Sequence, residues 1–318
     1  MDLQKPKSFK KSPIVSMGMP VYNGERYLQQ ALDSLLNQTF TEFELIISDN
    51  ASTDRTFEIC YAYAQTDERV RLLQNEVNAG AAANYNKVFA VARGRYFKWA
   101  AADDVCAPTF LKRCVGILQD DPSIILAYPK TTIINQEGRK VKPYDDGLHL
   151  KSKSASGRFL QFMYCVGECN AVFGLVRADV LKKTRLIGSY IGSDVCLLAE
   201  LSLLGRFYEI PEYLFFRRHH PAASSSHKDV QSQLVFFDPA IHTPIALPKW
   251  RHFGEHFKSI KRANIPVSQK VLPALFLIGS LGVSGRDYAR ELCDATKWGF
   301  LRCGKKLKQP FNMEHRAS

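Results

Sequence analysis

The chain has 318 residues, of which 46% are hydrophobic and 23% charged. This is the composition of a globular protein and excludes a disordered, collagenous or low-complexity chain. The length allows one large domain or two small ones. The net charge of +12 is uneven: residues 1–12 carry +3 and residues 235–318 carry +8, while 13–234 carry only +1. Such basic ends either are solvated or meet phosphates. Anionic membrane is the favoured partner and nucleic acid the disfavoured one. The eight cysteines form no C-x-x-C pair, so reduced and mostly buried thiols are expected. No apolar stretch follows the basic start, so a secretory signal is not expected. The best apolar run, VLPALFLIGSLGVSG from Val271, is interrupted by Pro273, Gly279 and Gly282 and is shorter than the roughly 20 residues of a spanning helix. A cytoplasmic protein is expected, with peripheral contact at the inner face of a membrane.

In chain order, Ile14–Val21 is an apolar run suited to a buried parallel strand. Asn23-Gly24 turns the chain, and Tyr27, Leu28, Ala31, Leu32, Leu35 and Leu36 then recur at a helical period. Phe43–Ser48 is a second strand, and Ser52 or Thr53 is expected to cap the next helix. Val70–Gln74 is a third strand. Asn78-Ala79-Gly80 turns into a helix expected to reach Arg93, with Gly94 as its stop. Tyr96–Ala101 is a fourth strand, Pro108 opens a helix, and Ile124–Tyr128 is a fifth strand. Residues 135–158 are expected to form a loop or hairpin, Cys169–Arg177 a strand and Ser193–Leu204 an apolar helix. Phe207–Arg218 alternates like a strand. Cys165 and Cys169 have helical spacing. A linker is expected from Ser224, and a basic, helix-prone segment with a separate helical unit after Pro266.

This βαβ order predicts an α/β protein with an open, mainly parallel sheet flanked by helices. Ligands of such sheets bind outside the carboxyl ends of the strands. That rule singles out Tyr22-Asn23, Asp49-Asn50, Asn78–Gly80 and Asp103-Asp104. Two adjacent carboxylates at a strand end suit a hard cation such as Mg²⁺ or Mn²⁺, although Asp103 can equally cap a turn. Asp49 either accepts from a nucleobase or ribose, or closes an Asx turn in DNASTD. Asp194 at a helix start either complements the helix dipole or serves as a general base. In RRHH a guanidinium suits a phosphate. There is no G-x-G-x-x-G, no G-x-x-x-x-G-K-[ST] and no G-x-S-x-G, which argues against a dehydrogenase, a P-loop kinase and a serine hydrolase.

The stretch IVSMGMPVYNGERYLQQALDSLLNQTFTEFELIISDNASTDRT, followed by NAGAAANYNKVFAVARGRYFKWAAADD, resembles family 2 glycosyltransferases. The resemblance covers residues 13–225, most specifically the first 130. It implies an A-type glycosyltransferase fold, a nucleotide-diphosphate sugar donor (UDP in the commonest case) and inversion at the anomeric carbon. It divides the chain into a basic tail (1–12), a glycosyltransferase domain (13–225, split near 130 into nucleotide-binding and acceptor-side halves) and a basic, mainly helical extension (226–318). By the same resemblance Pro20, Tyr22, Asn23, Glu25 and Asn78 line the nucleotide site, and Asp49 accepts from the base. Asp103 sits beside the donor ribose or sugar, Asp104 and His220 hold Mn²⁺ or Mg²⁺, Arg218 meets the diphosphate and Asp194 is the catalytic base. Here the motif reads A-A-D-D rather than D-x-D-D, which leaves open a nucleotide- or glycan-binding module without catalysis. A sugar nucleotidyltransferase is the other alternative, although the loop Tyr22–Glu25 lacks its basic residue. The expected acceptor is a glycan or lipid-linked hydroxyl in bacterial surface-polysaccharide assembly.

Overall fold

The computed structural model describes residues 12–223, 229–240, 247–293 and 295. The linker expected from Ser224, the tail before Ser12 and most of the segment after Cys293 lie outside the described residues. The first half follows the sequence reading closely. Strand β1 (Val15–Val21) leads to helix α1 (Glu25–Leu36), β2 (Phe43–Asp49), α2 (Thr56–Thr66), β3 (Val70–Gln74), α3 (Ala81–Ala90) and β4 (Tyr96–Trp99). Then come the short β5 (Val105–Cys106), α4 (Phe110–Asp120) and the long β6 (Ile124–Ile134). The sheet order is β3-β2-β1-β4-β8-β6-β9-β5, with β7 (Lys140–Tyr144) paired to β6 as a hairpin. Strand β8 (Leu175–Arg177) runs antiparallel between β4 and β6, and β9 (Arg206–Arg218) lies parallel to β6. Six strands therefore point one way, and β5, β7 and β8 oppose them.

The sheet separates two apolar layers. Val15, Met17, Met19, Leu45 and Ile47 meet α1, α2 and α4 through Leu28, Leu32, Cys60, Phe110 and Leu118. The alternate residues, Ile46, Phe97 and Trp99, meet Val88 of α3, Phe159 and Phe162 of α5 (Ala155–Cys165) and Leu197, Leu198 and Leu201 of α7 (Ser193–Leu204). Period-two alternation thus assigns each strand residue to one layer. Gly18 is the contact point of α3: a Cβ there would lie 2.6 Å from Val88 and 2.8 Å from a Phe97 ring carbon. Two buried arginines satisfy helix-end carbonyls that have no partner within their own helix. Arg158 donates to the carbonyls of Ser202 and Leu203 at the end of α7, and Arg177 to those of Leu118 and Asp121 at the end of α4.

Several local expectations are corrected. Asp54, not Ser52 or Thr53, accepts from the Thr56 amide at the start of α2 (3.0 Å). Ser52 and Thr53 bond instead to Asn23. Helix α3 ends at Ala90. Gly94 serves close approach, since a Cβ there would lie 2.5 Å from the Ser16 amide nitrogen. The chain over 169–177 is mostly not strand: Cys169 is left-handed (φ 57°) and a 3-10 turn over Asn170–Phe173 precedes β8. Cys165 ends α5 and is exposed whereas Cys169 is buried, so the two do not share a helix face. As expected, Cys60, Cys106, Cys114, Cys169 and Cys196 are buried free thiols. Burial, chiefly, pushes the Cys60 thiol up to about 12.

After the short α6 (Ala178–Leu181) and α8 (Val230–Phe237), α9 (Pro248–Arg262) packs on α7 and α10 (Ser268–Val283) packs on α5 and α9. Ile260, Ala263 and Leu277 join the same core as α7, so the helix after Pro266 does not stand apart. The α9 contact is also ionic. Arg185 pairs with Glu200 of α7 and Glu255 of α9 and donates to Ser259. His256 is buried beside Phe159, its Nδ1 without a partner among the described residues. Burial, then the neighbouring His252 and Arg185, lowers its pKa from 6.5 to about 4. The unfolded chain therefore binds this proton more tightly, and stability falls as pH drops from 6.5 towards 4. His256→Phe is expected to flatten that limb of a denaturation-midpoint-against-pH curve and leave the neutral plateau intact.

Candidate active site

Local turn chemistry builds the mouth of the sheet. Asn23 has positive φ (49°), and its Oδ1 accepts from the Thr53 amide (2.8 Å). The next two amides cross to the neighbouring helix start: Gly24 N–H donates to Thr56 Oγ1 (2.8 Å) and Glu25 N–H to Asp54 Oδ2 (3.1 Å). Glu25 reciprocates by accepting from the Arg55 amide (2.9 Å). Helices α1 and α2 thus cap each other's amino ends. The amides of this loop are taken by protein, which argues against a phosphate cradle here and against the nucleotidyltransferase alternative. Glu25 faces α2 rather than the cleft.

A cleft of about 830 Å³ opens outside the carboxyl ends of β1, β2 and β4. Its lining includes Pro20, Tyr22, Asn23, Asn78, Asp103, Asp104, Arg218 and His220, so these sequence-predicted residues converge on one cavity. Asp49 does not line it. Its carboxylate is buried and accepts from the Ser52 amide (3.2 Å) and Gln74 Nε2 (3.3 Å). The loop after β3 is held by amide side chains: Asn50 Nδ2 donates to Asn78 Oδ1 (2.8 Å), and Asn50 Oδ1 accepts from Asn75 and from the Ala79 amide. Gly80 is left-handed (φ 82°), and a Cβ there would meet the Phe237 carbonyl at 2.4 Å. Helix α8 sits against this point, with Gln231, Ser232, Val235 and Phe236 as a further wall.

The acid pair is positioned by strand pairing. β5 follows Asp104 directly and pairs antiparallel with the end of β9, Val105 opposite Phe216. This brings Asp103-Asp104 against Arg218 and His220. Arg218 N–H donates to Asp104 Oδ1 (2.8 Å), and His220 Nε2 lies 2.9 Å from Asp103 Oδ2. The buried Arg218 guanidinium donates to the carbonyls of Asp103, Asn135 and Gln136 and to Gln30 Oε1, and stacks over Tyr27 at 4.5 Å. It therefore acts as a clamp between elements. Arg217, beside it in the lining, bonds to Asn170 Oδ1 (2.7 Å) and pairs with Glu168. The Tyr27 hydroxyl is buried without a partner among the described residues.

Burial first, and the adjacent Asp103 second, push the Asp104 carboxyl up to about 8. A divalent cation bound beside the pair would favour the ionised form of Asp104, and two adjacent carboxyl groups offer the oxygen donors that suit a hard cation. No group of three His, Cys, Asp or Glu stands as a preformed metal site among the described residues, and His220 is engaged by Asp103. Ions of this class commonly take one or two carboxylates and complete their shell with substrate phosphates. Asp194 lies in the first turn of α7, half-buried and accepting from the Val195 amide (2.9 Å). It is not in the cleft lining. Tyr85, which is, feels burial and then the charges of Asp103, Asp104 and Asp194, all raising its pKa. Tyr85 thus feels the charges of both the acid pair and Asp194. Sequence reasoning passed over it because its helical spacing reads as packing.

The glycosyl transferase family 2 model matches residues 16–183, and the chain belongs to that family. An uncharacterized glycosyltransferase of Haemophilus influenzae is 26% identical over 219 residues, covering 67% of this chain and 68% of that protein. Chondroitin synthase of Escherichia coli is 31% identical over 233 residues, 72% of this chain. The chain spans only 32% of that relative's length. Among solved structures, S. aureus TarS 1-349 in complex with UDP-GlcNAc superposes with a TM-score of 0.61 at 18% identity, covering 83% of this chain and 71% of that one. At this identity the likeness concerns the fold, an A-type glycosyltransferase.

Two outcomes follow from the acid-pair geometry. Asp104→Asn keeps an acceptor for the Arg218 amide and removes a buried charge whose cost accumulates between pH 3.8 and about 8. Without divalent cation it is expected to raise the melting temperature above pH 8 and leave it unchanged near pH 4. Arg218→Met strands three carbonyls and is expected to cost about 3 kcal/mol in chemical denaturation.

Proposed function

We propose that this glycosyltransferase moves a sugar from a UDP-sugar to a hydroxyl acceptor with inversion, using Asp194 as base and a divalent cation at Asp103-Asp104. The observation that carries the reading is the convergence of the acid pair, His220 and the β1, β2 and β3 loop residues on one cleft outside the strand ends. Its volume of about 830 Å³ lies within the range of small-molecule sites. The TarS chain of the same fold is described in complex with UDP and with UDP-GlcNAc. The nucleoside is assigned to Pro20, Tyr22, Asn23 and Asn78, and the diphosphate to the acid-pair end.

Mn²⁺ or Mg²⁺ held by Asp104 and Asp103, with His220 as a further ligand once released from Asp103, would supply charge neutralisation at the departing diphosphate. Arg217 adds positive charge from the cleft wall, and Arg218 fixes Asp104 through its amide. Asp194 takes the proton of the acceptor hydroxyl as its oxygen bonds to the anomeric carbon. The bond from that carbon to the diphosphate oxygen breaks on the opposite face, which inverts the centre. The acceptor is a glycan or a lipid-linked glycan of surface-polysaccharide assembly, in keeping with the polymer named for the E. coli relative.

Calorimetric titration of UDP into the wild type is expected to give binding with Mn²⁺ and little with EDTA, and Asp104→Ala is expected to lose the metal-dependent part. Absence of binding for UDP, GDP and dTDP alike would overturn the donor assignment. Asp194→Asn is expected to bind UDP normally and to lose at least about 100-fold in transfer rate. Full activity in that variant would remove Asp194 as base.

A further inference from the structure

Helix α10 turns Pro273 and Leu277 into the core, with Phe276 packed beside them, and leaves another face of a strongly apolar helix outside. Val271, Leu275 and Ile278 recur at helical spacing and are 50%, 57% and 53% exposed. Leu272 flanks them, and Val267 and Val283 extend the patch beyond both ends. On α5, the exposed Tyr164 meets Phe276 edge-on at 5.4 Å and widens it. Single exposed apolar residues are ordinary, whereas a contiguous patch marks a contact surface.

The charges around the patch are predominantly basic, with Asp287 (paired with Lys249) and Glu291 as acidic exceptions beyond the end of α10. From His256 to Arg286 the sequence holds Lys258, Lys261, Arg262, Lys270 and Arg286 and no Asp or Glu. Lys261, Arg262 and Arg286 are exposed, as is Arg290 just beyond. Among the described residues no helix is long and apolar enough to cross a membrane. An apolar helix face flanked by lysine and arginine is the pattern of a helix lying in the plane of a bilayer interface, with the cations at the lipid phosphates. A second copy of the chain fits less well, because pairing this face with itself would bring like charges together.

We propose that α10 docks this glycosyltransferase on an anionic membrane surface, with Val271, Leu275 and Ile278 entering the acyl boundary. The site is separate from the cleft, and the inference stands whether or not the UDP-sugar reading holds. Because α10 packs on α9 and α9 on α7, docking would also fix how the helix carrying Asp194 is presented to the bilayer.

Co-sedimentation of the full chain with phosphatidylglycerol–phosphatidylcholine vesicles, and with phosphatidylcholine alone, tests the proposal. Binding is expected to the anionic vesicles, to be reduced but retained at high salt, and to fall at least about tenfold in the double variant Leu275→Glu, Ile278→Glu. That variant alters exposed side chains only, so an unchanged melting curve accompanies the loss. Arg286→Ser with Arg290→Ser is expected to weaken binding to anionic vesicles alone. Three results would overturn the proposal: no sedimentation of wild type at low salt, equal binding by the double glutamate variant, or a dimer that the glutamates dissociate in a protein that ignores vesicles.

Discussion

The site rests on one arginine. Arg218 lies 114 residues beyond Asp104 in sequence, yet its amide holds one oxygen of that carboxyl and its side chain holds the Asp103 carbonyl. The same guanidinium reaches the β6–β7 turn at Asn135 and Gln136 and helix α1 at Gln30. Strand β4, strand β9, a hairpin and a helix are thereby fixed to one planar group. A lysine could not serve all of these partners, since it has no rigid fork of donors. The position of two adjacent carboxylates depends on this clamp, because their mutual repulsion would otherwise favour spreading them apart.

A second buried cation lies behind the pair. Lys98 in β4 is almost fully buried, donates to the carbonyls of Phe173 (2.7 Å) and Trp99 (3.1 Å), and lies over the rings of Phe110 and Phe215. Its charge acts on Asp104 through the interior, opposing the effect of Asp103. The protein thus keeps an acidic cluster at a strand end with carbonyl-bound cations around it and a direct side-chain contact from His220 to Asp103.

Much of the first half was legible in the sequence because its signals are local. The spacing from Tyr27 to Leu36 reflects the buried face of α1, and Val70–Gln74 and Ser193–Leu204 have the bounds expected of them. Features set by distant partners were not legible. Helix α3 stops at Ala90 because the next residues reach across to the Ser16–Glu44 pair: the Arg93 amide donates to both side chains. Glu25 reads as a loop carboxylate until α2 is brought beside it. Asp49 reads equally as ligand or turn former, and the fold engages it with Ser52 and Gln74. The α8 wall was hidden because nothing in 229–240 signals that it lies against Gly80, 150 residues or more away.

The anchoring of α9 bears on how such enzymes diversify. The family match stops at residue 183, before α7 begins. Arg185 lies just beyond it and is shared between Glu200 and Glu255, while His252 reaches the Ile191 carbonyl at 2.6 Å. A recombination event that exchanged the carboxyl-terminal region at a junction between α7 and α9 would leave Glu200 and Arg185 without half of their network. Helices α7 and α9 are thus coupled as one block, in which a change on either helix is felt by the other.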